Sequence, residues 1–197
     1  GCGAPGGGRT EAGGGAAPDT VIGRTGADAL RWWFARDVGV ASDTDVTVER
    51  IVERANDDLA NGIGNAVNRV SALVHRYRAG EVPNTGEAPL PVARGLVVRV
   101  DRALADFDRR AASASIVAAV DELNAHIEAT TPWRLAKQAE AAEVLDRVLD
   151  RCVTTLLVVA EAIAPITPQL ADAISAQLDR AITLPRPEPV FPRLEVP

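Results

Sequence analysis

The sequence predicts an all-α protein, an antiparallel helix bundle, on three observations. The chain is rich in Ala, Val, Leu and Arg and only 4% aromatic, a composition that favours helices over sheets. Apolar residues recur at intervals of three and four along most of its length, the repeat of one helix face. Stretches rich in Gly or Pro fall at the two ends and in a few short breaks, where helices stop and turn back. With 197 residues, 47% of them hydrophobic, the chain can bury one substantial core.

The opening "GCGAPGGGRTEAGGGAAP" reads as a disordered Gly-rich leader over residues 1–18. "GADALRWWFARD" (Gly26 to Asp37) has helical spacing and stops at Gly39. After the loop "ASDTDVT", Thr47 is the expected N-cap and Glu49 suits the positive end of the helix dipole. One long helix then runs to about Arg78. Its apolar stripe is Val48, Ile51, Val52, Ala55, Leu59, Ile63, Val67, Val70 and Val74, on a rod of roughly 45–50 Å, and Gly62 and Gly64 are candidate bend points.

"AGEVPNTGEAPLP" is a loop. A second helix is expected from about Val92 to Ala112 and a third from about Ser115 to Ala129, burying Ile116, Ala119, Val120, Leu123 and Ile127. Thr131 and Pro132 read as cap and first residue of a short helix. Trp133, on its first turn, is either wedged into the core or open as a stacking surface. "AAEVLDRVLDRCVTTLLVVAEAIA" reads as a central helix halted near Pro165, and Thr167 with Pro168 starts another. The tail "LPRPEPVFPRLEVP" is too rich in proline to be helical and should lie extended. About five helices result, with no internal repeat.

The net charge is −6 and the pI about 5.0, so there is no global basic field to hold nucleic acid non-specifically, and DNA is not an expected partner. Any RNA contact must be local. Cys2 and Cys152 lie too far apart in character and position for a disulfide framework or a metal-ligand spacing. No apolar stretch approaches about 20 residues, so no membrane partner is expected, and a reducing cytoplasm is the expected location. Gly1-Cys2 lacks the downstream Ser or Thr that N-myristoylation requires. The absence of Met is compatible with a chain beginning partway through a longer protein.

Catalytic constellations are sparse. His75 and His126 stand on separate helices without partners at metal or triad spacing. "GAPGGG" lacks both the Gly-Lys-Ser/Thr ending and the preceding strand of a phosphate loop. More suggestive are Asn65 and Arg69, four residues apart and so stacked on one helix face, directed away from the apolar stripe. Asn offers donor and acceptor to a base edge, and Arg a planar fork that also stacks. Trp133 would complete a set for single-stranded RNA, which is commonly read by stacking a base on an aromatic ring. Spacing alone does not bring residues 65, 69 and 133 together, and each has an ordinary structural explanation.

Four ordered segments carry a family resemblance. "GADALR" is similar to the end of the stem-contact segment of class I aminoacyl-tRNA synthetases, and "DLANGIGNAVNR", "TTPWRLAK" and "PEPVFPRLE" resemble the anticodon-binding bundle and closing segment of methionyl-tRNA synthetases. The resemblance covers about residues 18 to 197. It implies a bundle of the class I anticodon-binding type: a stem-contact remnant at 19–46, the bundle at 47–180 and an extended tail at 181–197. It also implies that Asn65, Arg69 and Trp133 read the CAU anticodon of tRNA(Met), Trp133 by stacking and the other two by bonding base edges and backbone.

The family's Lys-Met-Ser-Lys-Ser loop would fall on Gly7 to Glu11, here "GGRTE", and the His-Ile-Gly-His motif has no counterpart in the sequence. Those groups stabilise charge on the ATP phosphates during adenylate formation. No catalytic residue, metal or cofactor is therefore assigned to these 197 residues, ATP and methionine belonging to the parent family. The expected partners are the tRNA(Met) anticodon stem-loop and a synthetase catalytic domain, in cis or in trans. Two alternatives are the C-terminal part of a complete methionine–tRNA ligase and a bundle reused for protein interaction.

Overall fold

The computed structural model describes residues 18–38, 46–181 and 183–195, with backbone alone at 18–20. Residues 1–17 of the expected leader, including Cys2 and the Gly7–Glu11 segment, and Gly39 lie outside the described residues, whereas Pro18, expected in the leader, opens the first helix. Among those described there is no strand. Helix α1 (Pro18–Thr25) turns at Gly26, whose φ of 80° suits glycine, into α2 (Ala27–Arg36). α2 buries both Trp32 and Trp33. The Trp32 Nε1–H (2.9 Å) and the Arg36 Nε–H (2.9 Å) both donate to Asp58, and the Arg54 Nε–H donates to Asp37 (2.7 Å), fixing α2 to the next helix.

That next helix covers the expected span, but it is not α-helical throughout. α3 (Val48–Arg54), capped as expected by Thr47, whose side chain accepts from the Arg50 amide, runs into a π-helical stretch (Ala55–Gly64) and then α4 (Asn65–Arg78). All nine residues of the predicted stripe are buried. The wider π winding brings the carbonyl five residues back against the helix wall. A Cβ on Gly64 would lie 2.9 Å from the Leu59 oxygen, and one on Gly62 would lie 3.3 Å from that of Asp57. The two glycines thus accommodate a change of helix type.

The expected helix from 92 to 112 is in fact two. α5 (Leu96–Ala105) ends at Asp106, Phe107 takes a φ of 58°, and α6 (Arg109–Thr130) begins with the Asp108 side chain accepting from the Ala111 amide at 2.9 Å. An Asp beside a turn offers the backbone a local partner that competes with helix continuation, so the third helix starts well before Ser115. α7 (Pro132–Leu135) is a single turn, α8 (Ala142–Ile163) is the central apolar helix, and α9 (Pro168–Gln177) follows.

Two expected caps work differently from the expectation. Thr131 has a φ of 43° and makes no side-chain cap bond; its amide donates to Ile127 (3.1 Å) while its carbonyl accepts from Arg134 (2.7 Å), ending α6 and starting α7 in one residue. Thr167 precedes α9 but caps nothing, and the Leu170 amide instead donates to Asp28 on α2 at 2.8 Å. The residue type marks the position correctly, while a tertiary carboxylate supplies the bond.

α5 packs on α6, α6 and α9 both pack on α8, and α2 packs on α6. One continuous core holds Val67, Ile116, Leu123, Leu149 and Leu156 at its centre. The tail is extended, as expected. Its Leu184 amide donates to Gly80 (2.9 Å), and at its far end the Asn56 side chain both donates to the Leu194 carbonyl (2.9 Å) and accepts from its amide (2.8 Å).

Candidate nucleic-acid interface

The three residues singled out on sequence lie on two elements. Asn65 opens α4 and is exposed; Arg69 is one turn further along the same face, with its side chain 34% exposed. Trp133 sits on the single turn α7, half-buried, with part of its ring against the core. The tight Thr131 junction sets its place, since α7 has no room to slide relative to the end of α6.

Packing brings α4 to this junction. The Arg69 guanidinium carbon lies 5.8 Å from the Trp133 ring centroid, within cation–π range. Arg69 also pairs through Nη2 with Oε1 of Glu128, in the last turn of α6. Asn65 and Arg69 share a face by helical geometry, and Trp133 meets that face at Arg69. Arg134 and Lys137, close to Trp133 in sequence, are exposed.

The chemistry available is recognition. A half-open indole beside a guanidinium can stack a planar base, and an exposed amide on the same face can satisfy its edge. Among the described residues no group of three His, Cys, Asp or Glu could hold a metal ion, and no helix is long and apolar enough to cross a membrane. The His75 ring contacts the Pro185 carbonyl at 2.8 Å, tying the tail to α4. His126 is held below its ordinary pKa by burial and by Arg151, against the opposing charge of Glu122. Burial pushes the Cys152 thiol up to about 12, despite Arg151 and Arg69 nearby. A polar cavity of about 340 Å³ between α2 and α3, lined by Trp33, Asp37, Arg50, Glu53, Arg54 and Asp57, shares no residue with the Trp133 face.

Sequence reasoning passed over Asp150, a buried carboxylate that braces the scaffold. It accepts from the Thr85 amide (2.8 Å), the Thr85 hydroxyl (2.6 Å), the Glu87 amide (3.1 Å) and Arg180 (2.6 Å), joining α8 to the loop after α4 and to the segment after α9. Its one sequence signal was a charge set inside an apolar helical run.

Comparison with known proteins supplies the family. Residues 12–71 match the family described as "tRNA synthetases class I (M)". Methionine--tRNA ligase of Enterococcus faecalis is 30% identical over 91% of this chain and 30% of its own length. Methionine--tRNA ligase 1 of Bacillus anthracis is 31% identical over 91% of this chain and 31% of its own. The apo crystal structure of Mycobacterium tuberculosis methionyl-tRNA synthetase superposes with a TM-score of 0.80 at 28% identity, covering 92% of this chain and 42% of that one. The chain thus spans about a third of the length of the curated relatives it matches. In both sequence and fold, the chain is similar to a segment of the methionyl-tRNA synthetases of class I.

Proposed function

We propose that the chain binds the anticodon stem-loop of tRNA(Met) and reads the CAU anticodon, supporting methionyl-tRNA formation for translation. Trp133 stacks on an anticodon base, while Asn65 and Arg69 bond base edges and the adjoining backbone. The adenylate-forming chemistry falls to groups outside these 197 residues. One observation carries the reading: Arg69 of α4 and Trp133 of α7, far apart in sequence, meet within 5.8 Å on a partly open surface. The acidic pI of about 5.0 is consistent with it, because base reading needs a local constellation rather than a global field.

The test is titration of the full chain into a fluorescently labelled RNA hairpin carrying the CAU loop, with wild type and Trp133→Ala. Loss of one base–aromatic stack is worth about 1–3 kcal/mol, or about 5- to 150-fold in affinity. Unchanged binding by a folded Trp133→Ala variant would remove the stacking role.

A further inference from the structure

We propose that Gly64 is a positioning residue for the RNA-reading face: by leaving room for the π winding of Ala55–Gly64, it fixes the direction in which Asn65 and Arg69 leave α4. This rests on the reading of those two residues as RNA contacts.

Three observations support it. The first is that Gly64 is not needed for its backbone angles. Its φ of −61° and ψ of −44° suit any residue, and glycine is a poorer residue inside a helix than alanine. Space is what demands it. A Cβ on Gly64 would stand 2.9 Å from the Leu59 oxygen, a backbone atom of a fully buried residue with no free end to swing aside.

The second is that Asn65 is bonded into the π stretch. Its amide donates to the Ala60 carbonyl, five residues back, as well as to that of Gly62, so a shift at the end of the stretch moves Asn65 directly. The third is that both flanks are pinned. Upstream, Asp58 accepts from the Trp32 and Arg36 N–H groups of α2, and Leu59 and Ile63 are buried. Downstream, Val67, Val70 and Val74 are buried, and the Arg78 Nε–H donates to Asp146 on α8 at 2.5 Å. A π turn closes five residues back rather than four, so each residue turns the chain by less than the roughly 100° of an α-helix. With the flanks held, a change of winding has to be absorbed at the join, where Asn65 and, one turn on, Arg69 emerge. Alanine at position 64 therefore turns both side chains off the face that meets Trp133, where the Arg69 guanidinium carbon lies 5.8 Å from the ring centroid.

The test uses the full chain, first without RNA and then with two hairpins, one carrying the CAU loop and one a changed triplet. In the RNA-free protein, Gly64→Ala should move the Trp133 indole N–H resonance, identified by its loss in Trp133→Phe, toward its position in Arg69→Gln. In fluorescence anisotropy it should weaken the CAU hairpin about tenfold, the value of one hydrogen bond to a charged donor, and the changed hairpin far less. In an Asn65→Ala, Arg69→Gln background the same substitution should add little. An unmoved indole resonance, wild-type affinity for the CAU hairpin, or an equal loss in both backgrounds would each overturn the proposal. Binding is measured below the variant's melting midpoint, with far-UV circular dichroism matching wild type. If Gly64→Ala does not fold, Gly62→Ala replaces it, with the milder crowding of 3.3 Å against the Asp57 oxygen; the same shifts at smaller size support the proposal, and wild-type readouts overturn it. If the Asn65→Ala, Arg69→Gln variant binds the CAU hairpin like wild type, the function reading falls and takes the RNA role of Gly64 with it. If that variant weakens binding and Gly64→Ala does not, only the Gly64 proposal falls.

Discussion

Replacing Asp150 by Asn should destabilise the protein more than any other single-atom exchange on α8. The Asp150 side chain is 2% exposed and its two oxygens receive five donors, one of them the Arg180 guanidinium and the longest the Thr154 hydroxyl at 3.5 Å. Burial alone would push this carboxyl up, but the bonds from Thr85, Glu87 and Arg180 outweigh it and hold the pKa at about 2, against an ordinary 3.8. Each tenfold change in acidity is worth about 1.4 kcal/mol, so the drop corresponds to about 2 kcal/mol of folding stability at neutral pH. Asn also turns an amide N–H toward groups that are themselves donors and leaves Arg180 without its counter-charge. Because Arg180 is 30% exposed and can turn to water, the total cost should be about 2–4 kcal/mol rather than the larger penalty of a sealed pair. For a chain of this size that is a fall of about 5–15 °C in Tm. The depressed pKa also fixes the sign of the pH dependence: the stability is fully present above 3.8 and is lost as pH falls through about 2. Thermal melts followed by far-UV circular dichroism should show the two proteins far apart at pH 7 and converging in acid. A loss below about 1 kcal/mol at neutral pH, or a difference that persists unchanged in acid, would refute the reasoning.

In a Cys2→Ser background, Cys152 should react with a thiol reagent only on unfolding, since the buried thiol is held near 12 and gives almost no thiolate at neutral pH; rapid labelling of the native protein would contradict this. Gly64→Ala should cost about 1–3 kcal/mol in a urea melt because its Cβ would stand 2.9 Å from the Leu59 carbonyl oxygen, while Gly62→Ala, whose Cβ would stand 3.3 Å from the Asp57 oxygen, a milder crowding, should cost less. Equal costs would show that the π winding is not what demands glycine. The His126 ring should titrate by NMR below the ordinary 6.5, so that whatever stability it contributes is full above 6.5 and declines as pH falls below it; a midpoint at or above 6.5 would count against its burial beside Arg151.

Periodicity proved a good guide to faces and a poor one to helix type and ends. The stripe from Val48 to Val74 is buried throughout, yet Ala55, Leu59 and Ile63 at intervals of four are equally compatible with α and π winding, and only Gly62 and Gly64 hinted at the change. The break at Phe107 was hidden because Asp106 and Asp108 are acceptable helix residues, and their preference for local backbone bonds shows only at a turn. Thr167 marked a helix start whose capping bond comes from Asp28, a tertiary partner that no local pattern contains. The same limit applies at the candidate site. Helical spacing placed Asn65 and Arg69 on one face, but the approach of Arg69 to Trp133, and the carboxylate of Glu128 that accompanies it, depend on how α4, α6 and α7 pack.

The most direct test of anticodon reading compares the affinity of the full chain for two RNA hairpins that differ only in the anticodon triplet, CAU in one and a changed triplet in the other. If Asn65, Arg69 and Trp133 form a reading surface, the CAU hairpin should bind about tenfold or more tightly, the value of one well-made hydrogen bond to a charged donor. Equal affinity for the two hairpins would contradict it.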